Sequence, residues 1–234
     1  MSNYFVFNGT PSTSFNTYIA RSNMFDAPER TVESVSIPGR NGNLHIDQGR
    51  YDNFSGTIEA YIPNNMATNL DGLRNWLLSY PGYCRFEEVL RPDEYRMARY
   101  TGPFQVTDSD RVGAALTLNF DCMPQRFLKS GETETTFTAA GEITNPTNFE
   151  AKPLIRVYGT GTLGIGSEMI TITTNPGYID IDCEMMDAHY GTVNCNRYVT
   201  LSSGEFPVLH SGENGIELGT GITQVVITPR WWIL

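Results

Sequence analysis

The chain has 234 residues, of which 40% are hydrophobic and only 18% charged, with 22 glycines and 13 prolines. This composition excludes a disordered chain or a coiled coil and predicts a turn-rich β-protein. The net charge of −10 argues against nucleic acids and anionic membranes as main partners, because both attract clustered Lys and Arg. No run of about 18 apolar residues is present, so we expect no membrane insertion.

The charge is distributed unevenly along the chain. Residues 1–130 carry 12 basic and 14 acidic groups, whereas residues 131–234 carry 4 basic and 12 acidic groups. The resulting net charges of −2 and −8 suggest two units. We therefore predict one domain over residues 1–140 and a second over residues 141–234.

In the first half, alternating apolar residues predict strands. The clearest patterns cover residues 54–62 and 112–122, and shorter strands are predicted at 5–7, 32–37, 83–88 and 95–100. One segment instead has the period of a helix, because Met66, Leu70, Leu73, Trp76 and Leu77 form an apolar stripe. Asn64 or Asn65 is a candidate N-cap, and Pro81-Gly82 is expected to end the helix.

In the second half, residues 129–148 are rich in Thr, Gly and Glu and are predicted to be a linker with at most a short strand. Strands at the spacing of a β-sandwich are predicted beyond it, at 153–158, 169–173, 178–184, 192–201, 216–218 and 224–228. Nothing in this half has helical period. The fold class is therefore mainly β, with one helix in the N-terminal half.

A glycine motif in the second half matches a dinucleotide-binding pattern. Gly159, Gly161 and Gly164 have the spacing G-x-G-x-x-G, with Asp180 about 20 residues further on. Phosphate binding requires a helix after the loop, because the amides of the helix N-terminus hold the pyrophosphate. The following segment is β-branched, so a glycine-rich hairpin is favoured.

Acidic and nucleophilic residues of the second half are candidates for metal binding and catalysis. Asp180, Asp182 and Glu184 alternate along one strand, and a solvated acidic face is favoured over a calcium site. His189 and Cys195 are close in sequence, but Cys195 is in phase with Val193, which indicates a buried thiol rather than a nucleophile. We expect no catalysis, no metal, no cofactor and no disulfide, a Cys183–Cys195 bond being the most plausible exception.

A carbohydrate-binding role is the alternative that the residues themselves suggest. Sugar recognition needs an aromatic face beside fixed polar groups. In the second half, these groups are available if the fold brings them together: Tyr178, Tyr190, Tyr198, Asp187, Asn194 and Asn196. Trp231 and Trp232 are expected to close the sandwich, with one ring packed inward.

Several stretches, in order, resemble the distal tail (Dit) proteins of siphophages that infect Gram-positive bacteria. In the first half these are VSIPGRNGNL (35–44), GRYDNFSGTIEAYI (49–62), LRNWLLSYPGYCRF (73–86) and LNFDCMPQRF (118–127). In the second half they are AKPLIRVYGTG (151–161), FPVLHSGENGIEL (206–218) and VITPRWWIL (226–234). The resemblance covers nearly the whole chain.

This resemblance implies a structural virion protein of the tail tip, assembled in the bacterial cytoplasm. The first domain would form a hexameric ring (the belt) that joins the tail tube protein to a tail-associated fibre or lysin protein. The second domain would be a galectin-like β-sandwich that docks receptor-binding proteins, or in the alternative binds host cell-wall glycans. Turn residues 38–43 would contact a neighbouring subunit: Pro38, Gly39, Arg40, Asn41, Gly42 and Asn43.

Overall fold

The computed structural model describes residues 3–234. It divides into two compact units, the first ending at Arg126 and also including Leu234, the second covering Phe127–Ile233. Each unit has its own hydrophobic core. The division precedes the boundary expected at residue 140, because the segment from 129 onward supplies strands to the second unit.

The first unit contains one α-helix within a β-rich frame. Its elements are β1 (Phe5–Phe7), β2 (Thr10–Pro11), a 3-10 helix (Ser12–Phe15), β3 (Tyr18–Ser22), β4 (Arg30–Ser36), β5 (Asn43–Tyr51), β6 (Phe54–Ile62), α1 (Met66–Leu78), β7 (Cys84–Glu88), β8 (Glu94–Tyr100), β9 (Gln105–Ser109) and β10 (Ala114–Leu128). Strand β10 runs through the division between the units.

Antiparallel pairing organises the first unit. The main sheet has the order β2-β1-β7-β8-β10-β6-β3, and β9 also pairs with β10. The two strands with the clearest alternation in the sequence, β6 and β10, are direct neighbours, with Ile58 opposite Leu118. Both side chains are fully buried, so this pair lies at the centre of the core.

Helix α1 covers the residues that the apolar stripe predicted. Its buried side chains are Leu70, Leu73, Trp76 and Leu77. Trp76 stacks on Phe15 and Phe5, with ring centroids 4.9 and 5.9 Å apart. Asn65 occupies the N-cap position in a left-handed conformation and makes no side-chain cap bond, so the expected capping by this side chain is absent.

The second unit consists of strands and short 3-10 helices. Its strands are β11 (Thr135–Phe137), β12 (Gly141–Asn145), β13 (Leu154–Gly159), β14 (Gly161–Ile165), β15 (Glu168–Ile172), β16 (Ile179–Asp182), β17 (Asp187–Tyr190), β18 (Val193–Asn194), β19 (Val199–Leu201), β20 (Gly212–Leu218), β21 (Ile222–Thr228) and β22 (Trp232–Ile233). The 3-10 helices are Lys129–Glu132 and Asn196–Tyr198.

Two sheets form the predicted β-sandwich. One has the order β11-β21-β13-β16-β17-β18 and the other β12-β20-β14-β15-β19. Their inward residues share one core, in which Ile155 and Ile181 of the first sheet pack with Leu163 and Ile216 of the second. The mainly β fold class with a single α-helix among the described residues is thus confirmed.

Three local predictions for this unit are wrong. The segment 129–148 is not a linker, because β11 pairs with β21 and β12 pairs with β20. The single strand predicted over 192–201 is two strands in different sheets, so Cys195 is buried while Val193 is 61% exposed. The glycine motif is not a hairpin, because it connects β13 in one sheet to β14 in the other.

The glycines of this connection are required by a close backbone approach. A Cβ at Gly159 would lie 2.1 Å from the carbonyl oxygen of Gly221, and one at Gly161 would lie 2.2 Å from that of Thr220. Both residues also have positive φ, +96° and +141°. The backbone of the motif therefore packs directly against the backbone of residues 220–221. The next element is a strand, β15, whereas phosphate binding would need a helix at that point.

Candidate functional site

Strands β4 and β5 form a two-stranded hairpin that pairs with no other strand of the described chain. We call it the arm. In its register, Val35 lies opposite Leu44 and Glu33 opposite Ile46. Val35, Leu44 and Ile46 consequently share one face of the arm, and Glu33 lies at its edge on the same face. Leu44 and Ile46 are 41% and 44% exposed. An isolated hairpin with an exposed apolar face gains little stability by itself, which indicates a surface that packs against something else.

The turn of the arm contains the residues predicted to contact a neighbouring subunit. Residues 37–42 connect β4 to β5, and Asn43 begins β5. All six predicted contact residues, 38–43, are exposed. Gly39 and Gly42 have φ of +81° and +83°, which explains glycine at both positions. The structure therefore presents Arg40 at the tip, as the turn chemistry predicted.

Sequence reasoning missed the apolar face of the arm. Strand β5 was not predicted from periodicity, although Leu44 and Ile46 alternate with His45 and Asp47. That alternation is the signal that would have identified β5. An exposed amphipathic strand shows the same period as a half-buried one, so the pattern by itself does not reveal that the face lacks a partner within its own unit.

The base of the arm is held by polar contacts. The guanidinium of Arg30 lies 2.5 Å from the carboxylate of Asp47 and also lies over the ring of Tyr51. The hydrogen bond from Arg30 and the backbone N–H of Gly49 lower the pKa of Asp47. Because these side chains are about half exposed, the ion pair orients the base of the arm but adds little to the free energy of folding.

In the second unit, the residues proposed for glycan contact are only partly brought together. The Oδ1 atom of Asp187 accepts hydrogen bonds from the amides of Asn194 (3.0 Å) and Asn196 (2.8 Å). The Oδ1 atom of Asn196 in turn accepts the backbone N–H of Ala188 at 2.6 Å. The three side chains thus form one network whose hydrogen-bonding groups are largely used in holding the turn.

The tyrosines of that set lie in two different surroundings. Tyr190 contacts Tyr178, with ring centroids 4.8 Å apart, and Tyr178 in turn contacts Tyr158 at 6.1 Å. Tyr198 belongs to a 3-10 helix and lies under the guanidinium of Arg197 at 4.5 Å. The described structure therefore contains an aromatic cluster that the sequence did not reveal, made of Tyr158, Tyr178 and Tyr190.

The prediction of a solvated acidic face on β16 is wrong. Asp180 and Asp182 are each only 6% exposed, because arginines from other elements cover them. The guanidinium of Arg156 donates two hydrogen bonds to Asp180, at 2.7 and 2.9 Å, and also lies 4.4 Å from the ring centroid of Tyr178. Only Glu184 of the three acids is exposed.

Residues 3–234 contain no group of three or more His, Cys, Asp or Glu side chains arranged to hold a metal ion. Within the same range, no helix is long and apolar enough to cross a membrane. All four cysteines are free thiols, and Cys122, Cys183 and Cys195 are buried.

These features define a class of two-unit β-protein, in which a helix-containing unit with a projecting arm precedes a β-sandwich. No family model matches the chain, and no curated protein matches it by sequence. Among solved structures, the chain is similar over its full length to the SPP1 Dit (gp 19.1) protein, with a TM-score of 0.78 at 14% identity and full coverage of both chains. That protein is described as a paradigm of the hub adsorption apparatus in Gram-positive infecting phages.

A second solved structure has a weaker likeness. It is the phage p2 baseplate in its activated conformation with Sr, for which the TM-score is 0.51 and the identity 11%. The match covers 96% of this chain and 97% of that one. The chain therefore has the fold of the SPP1 Dit protein, and the fold implied by the sequence resemblance is confirmed.

Proposed function

We propose that this chain is a structural distal tail protein, a hub at the tail tip of a long non-contractile-tailed phage. The observation that carries this proposal is the likeness to the SPP1 Dit protein, which extends over both units without a gap in coverage. A match of one unit alone would support only a shared module. The role is assembly rather than catalysis.

The assembly that we propose is a homo-hexameric ring formed by the first unit. The arm supports this proposal because it pairs with no other strand of the described chain and because Leu44 and Ile46 on its apolar face are exposed. Packing each arm onto the next subunit would cover that face, and such head-to-tail contacts close into a ring. The low net charge of −2 over residues 1–130 suits close packing of identical subunits.

The mass of the assembly in solution tests the ring. Mass photometry and light scattering on the purified chain are expected to give six times the chain mass of 26.1 kDa, and negative-stain images are expected to show rings. A particle that stays monomeric at high concentration, and that is also absent from the tails of virions encoding it, would contradict the hub function.

The partners that we propose follow from the two faces of such a ring. One face would bind the tail tube protein and the other a tail-associated fibre or lysin protein. The second unit would dock receptor-binding proteins. Its net charge of −8 over residues 131–234 supports an exposed position, because like charges on neighbouring copies repel. Pairwise binding of the purified proteins tests each contact separately.

Glycan binding is the second candidate function, and one observation favours it. Tyr158, Tyr178 and Tyr190 cluster beside the Arg156–Asp180 pair, which provides the aromatic face and fixed polar groups that sugar recognition uses. Tyr190 remains 37% exposed and accessible to a ligand. The Asp187 network contributes less, because its groups are bonded to one another.

Binding of the full chain to purified host cell-wall polysaccharide tests this candidate. If the cluster is a glycan site, Tyr190→Ala should abolish saturable binding, whereas Tyr198→Ala should leave it unchanged, because Tyr198 lies in a different environment. Absence of binding by the unchanged chain would eliminate the candidate and leave protein docking as the role of this unit.

A further inference from the structure

One end of the core of the first unit is charged rather than apolar. Alternate side chains of β7 and β8 point into the core, and this alternation buries Glu88, Glu94 and Arg96. Together with Arg91 and Arg126, they line one small cavity of about 20 Å³. We call these five residues the charged cluster.

Burial of the charged cluster is only partly compensated by pairing. The carboxylate of Glu94 is paired, because Nη1 of Arg126 lies 3.0 and 3.2 Å from its two oxygens. Nη1 of Arg96 donates to two backbone carbonyl oxygens of β10. Among the described residues, however, Nη2 of Arg96 and Oε2 of Glu88 have no hydrogen-bond partner. Buried charges in such surroundings cost folding free energy, so the cluster requires an explanation other than stability.

The charged cluster contacts the chain at both ends of the arm. Phe25 lies between β3 and β4, and Phe54 is the first residue of β6, which follows the arm. The guanidinium of Arg91 lies 4.6 Å from the ring centroid of Phe25, and that of Arg96 lies 4.4 Å from the ring centroid of Phe54. Arginine stacks on aromatic faces in this way because its guanidinium is planar.

A polar contact also attaches the segment that enters the arm. The hydroxyl of Ser22, the last residue of β3, donates a hydrogen bond to Glu88 at 2.6 Å and accepts the backbone N–H of Met24 at 3.1 Å. Met24 is itself buried in the core of the unit. Residues 22–25 are therefore fixed to the charged cluster shortly before the arm begins.

We propose that the charged cluster is an orienting clamp for the arm, in which Arg91 and Arg96 are positioning residues. A hairpin that moves freely loses conformational freedom when it packs onto a neighbouring subunit, whereas an arm that is already oriented loses less. Contacts at both ends of the arm provide this orientation within the single chain. This inference rests on the proposed hub function and names the residues that prepare the arm for ring assembly.

Arg91→Lys and Phe25→Leu test the contact at the entering end. Arg91 is about half exposed, so lysine should keep the charge and the fold but lose the planar stacking. Amide exchange is measured in a Leu44→Glu background, which should prevent ring contacts from protecting the arm. Either variant should make exchange about two- to fivefold faster in peptides covering residues 23–36. The double variant should add nothing further, because both changes remove the same contact.

Phe54→Leu tests the leaving end. Leucine keeps an apolar side chain against the core but gives the guanidinium of Arg96 no ring to stack on. Exchange should become faster in peptides covering residues 46–53, again by about two- to fivefold.

Ring assembly is the second measurement, made with Leu44 unchanged. Arg91→Lys should raise the concentration at which half of the hexamer dissociates by about twofold or more, with no change in the urea midpoint of unfolding. Arg74→Lys is the matched control, because its guanidinium also lies over a ring, that of Phe104 at 5.1 Å. These two residues lie on α1 and between β8 and β9, so neither leads into the arm. The control should change neither exchange nor assembly.

The outcomes separate the clamp from the hub function. Unchanged exchange in the Arg91, Phe25 and Phe54 variants would overturn the clamp, as would equal effects of Arg91→Lys and Arg74→Lys. Absence of rings from the unchanged chain in mass photometry would contradict the hub function, and the exchange measurements would still decide whether the cluster orients the arm.

Discussion

At the scale of single residues, the two most informative carboxyl groups have pKa values shifted in opposite directions. Asp182 is held by the guanidinium of Arg230, whose hydrogen bonds lower its pKa to about 2. Glu88, which is 5% exposed, has its pKa raised by burial even though Ser22 donates a hydrogen bond to it at 2.6 Å. For Asp182 the hydrogen bonds from Arg230 outweigh the effect of burial on the pKa, whereas for Glu88 burial outweighs Ser22, Arg91 and Arg96.

Asp182→Asn is expected to destabilise the second unit at neutral pH. The folded pKa of about 2 lies below the usual 3.8, so the carboxylate stabilises the fold above pH 4 and loses this effect as the pH falls toward 2. The loss at pH 7 should be about 2 kcal/mol in unfolding free energy. Urea titrations at several pH values measure it, and a loss that stays constant down to pH 2.5 would contradict the assignment.

Glu88→Gln is expected to have the opposite sign. Because burial raises the folded pKa above the usual 4.5, the charged carboxylate weakens the fold as the pH rises through and beyond that value. The amide keeps an acceptor for Ser22, so the variant should be more stable than the unchanged chain at pH 7 and show little difference at pH 4. Thermal unfolding at both pH values measures this, with the half-exposed Glu59→Gln as control.

The four cysteines should react at different rates. Cys84 is the one that is only partly buried, whereas burial raises the pKa of Cys122 and of Cys183 to about 12. Thiolate is the reactive form, so a thiol reagent should modify Cys84 first in the native protein and all four after denaturation. Mass spectrometry of the labelled chain counts them. A count of two labelled cysteines in the denatured chain would reveal a disulfide and contradict the prediction of four free thiols.

At the scale of elements, the arm differs from the other strands because β4 and β5 pair only with each other among the described strands. The apolar side chains Leu44 and Ile46 on the arm are consequently exposed. Helix α1, by contrast, buries its stripe within its own unit. An isolated hairpin with an uncovered apolar face adds little to the stability of the single chain, and in the proposed ring that face would contact the neighbouring subunit. The effect of a substitution in the arm should therefore appear in the mass of the particle.

Leu44→Glu is expected to disrupt the ring while leaving the chain folded. Leu44 is 41% exposed, so the charge costs the monomer little, but a buried contact with a neighbouring subunit would not tolerate it. Val112→Glu is the control, because Val112 is 56% exposed in a turn outside the arm. Mass photometry measures both, and equal effects would contradict the role of the arm.

The arm tip provides a second, milder variant. Arg40→Glu, a predicted contact residue, should weaken assembly by less than Leu44→Glu, since exposed charges at an interface rim contribute little. Arg111→Glu, in the same turn as Val112, is the matched control. Arg74 is unsuitable as a control, because its guanidinium pairs with Asp71 and lies over the ring of Phe104.

At the scale of the whole molecule, the chain has two cores, each with its own set of buried side chains. Calorimetry is therefore expected to resolve two unfolding transitions. Trp231 is 5% exposed in the second core. Trp231→Ala should lower the unfolding free energy of the second unit alone, by about 3–5 kcal/mol. Equal shifts of both transitions would show that the units unfold as one.

The sequence by itself determined the features that depend on neighbours along the chain. Alternation placed β6 and β10, a stripe of period 3.6 placed α1, and glycine turns placed Arg40 at a tip. These patterns are local, because an element's own side-chain spacing decides which face it buries. The mainly β class followed from the same local alternation, whereas the two units were indicated by the uneven charge of the two halves.

Only the tertiary structure decided which groups meet across the chain. Asp180 and Asp182 have the pattern of a solvated face, yet Arg156 and Arg230, 24 and 48 residues away, bury and pair them. The tyrosine cluster and the split of residues 192–201 between two sheets likewise depend on strand order. Periodicity says which side of a strand is apolar, but burial and pairing of a polar side chain depend on partners that only folding brings near.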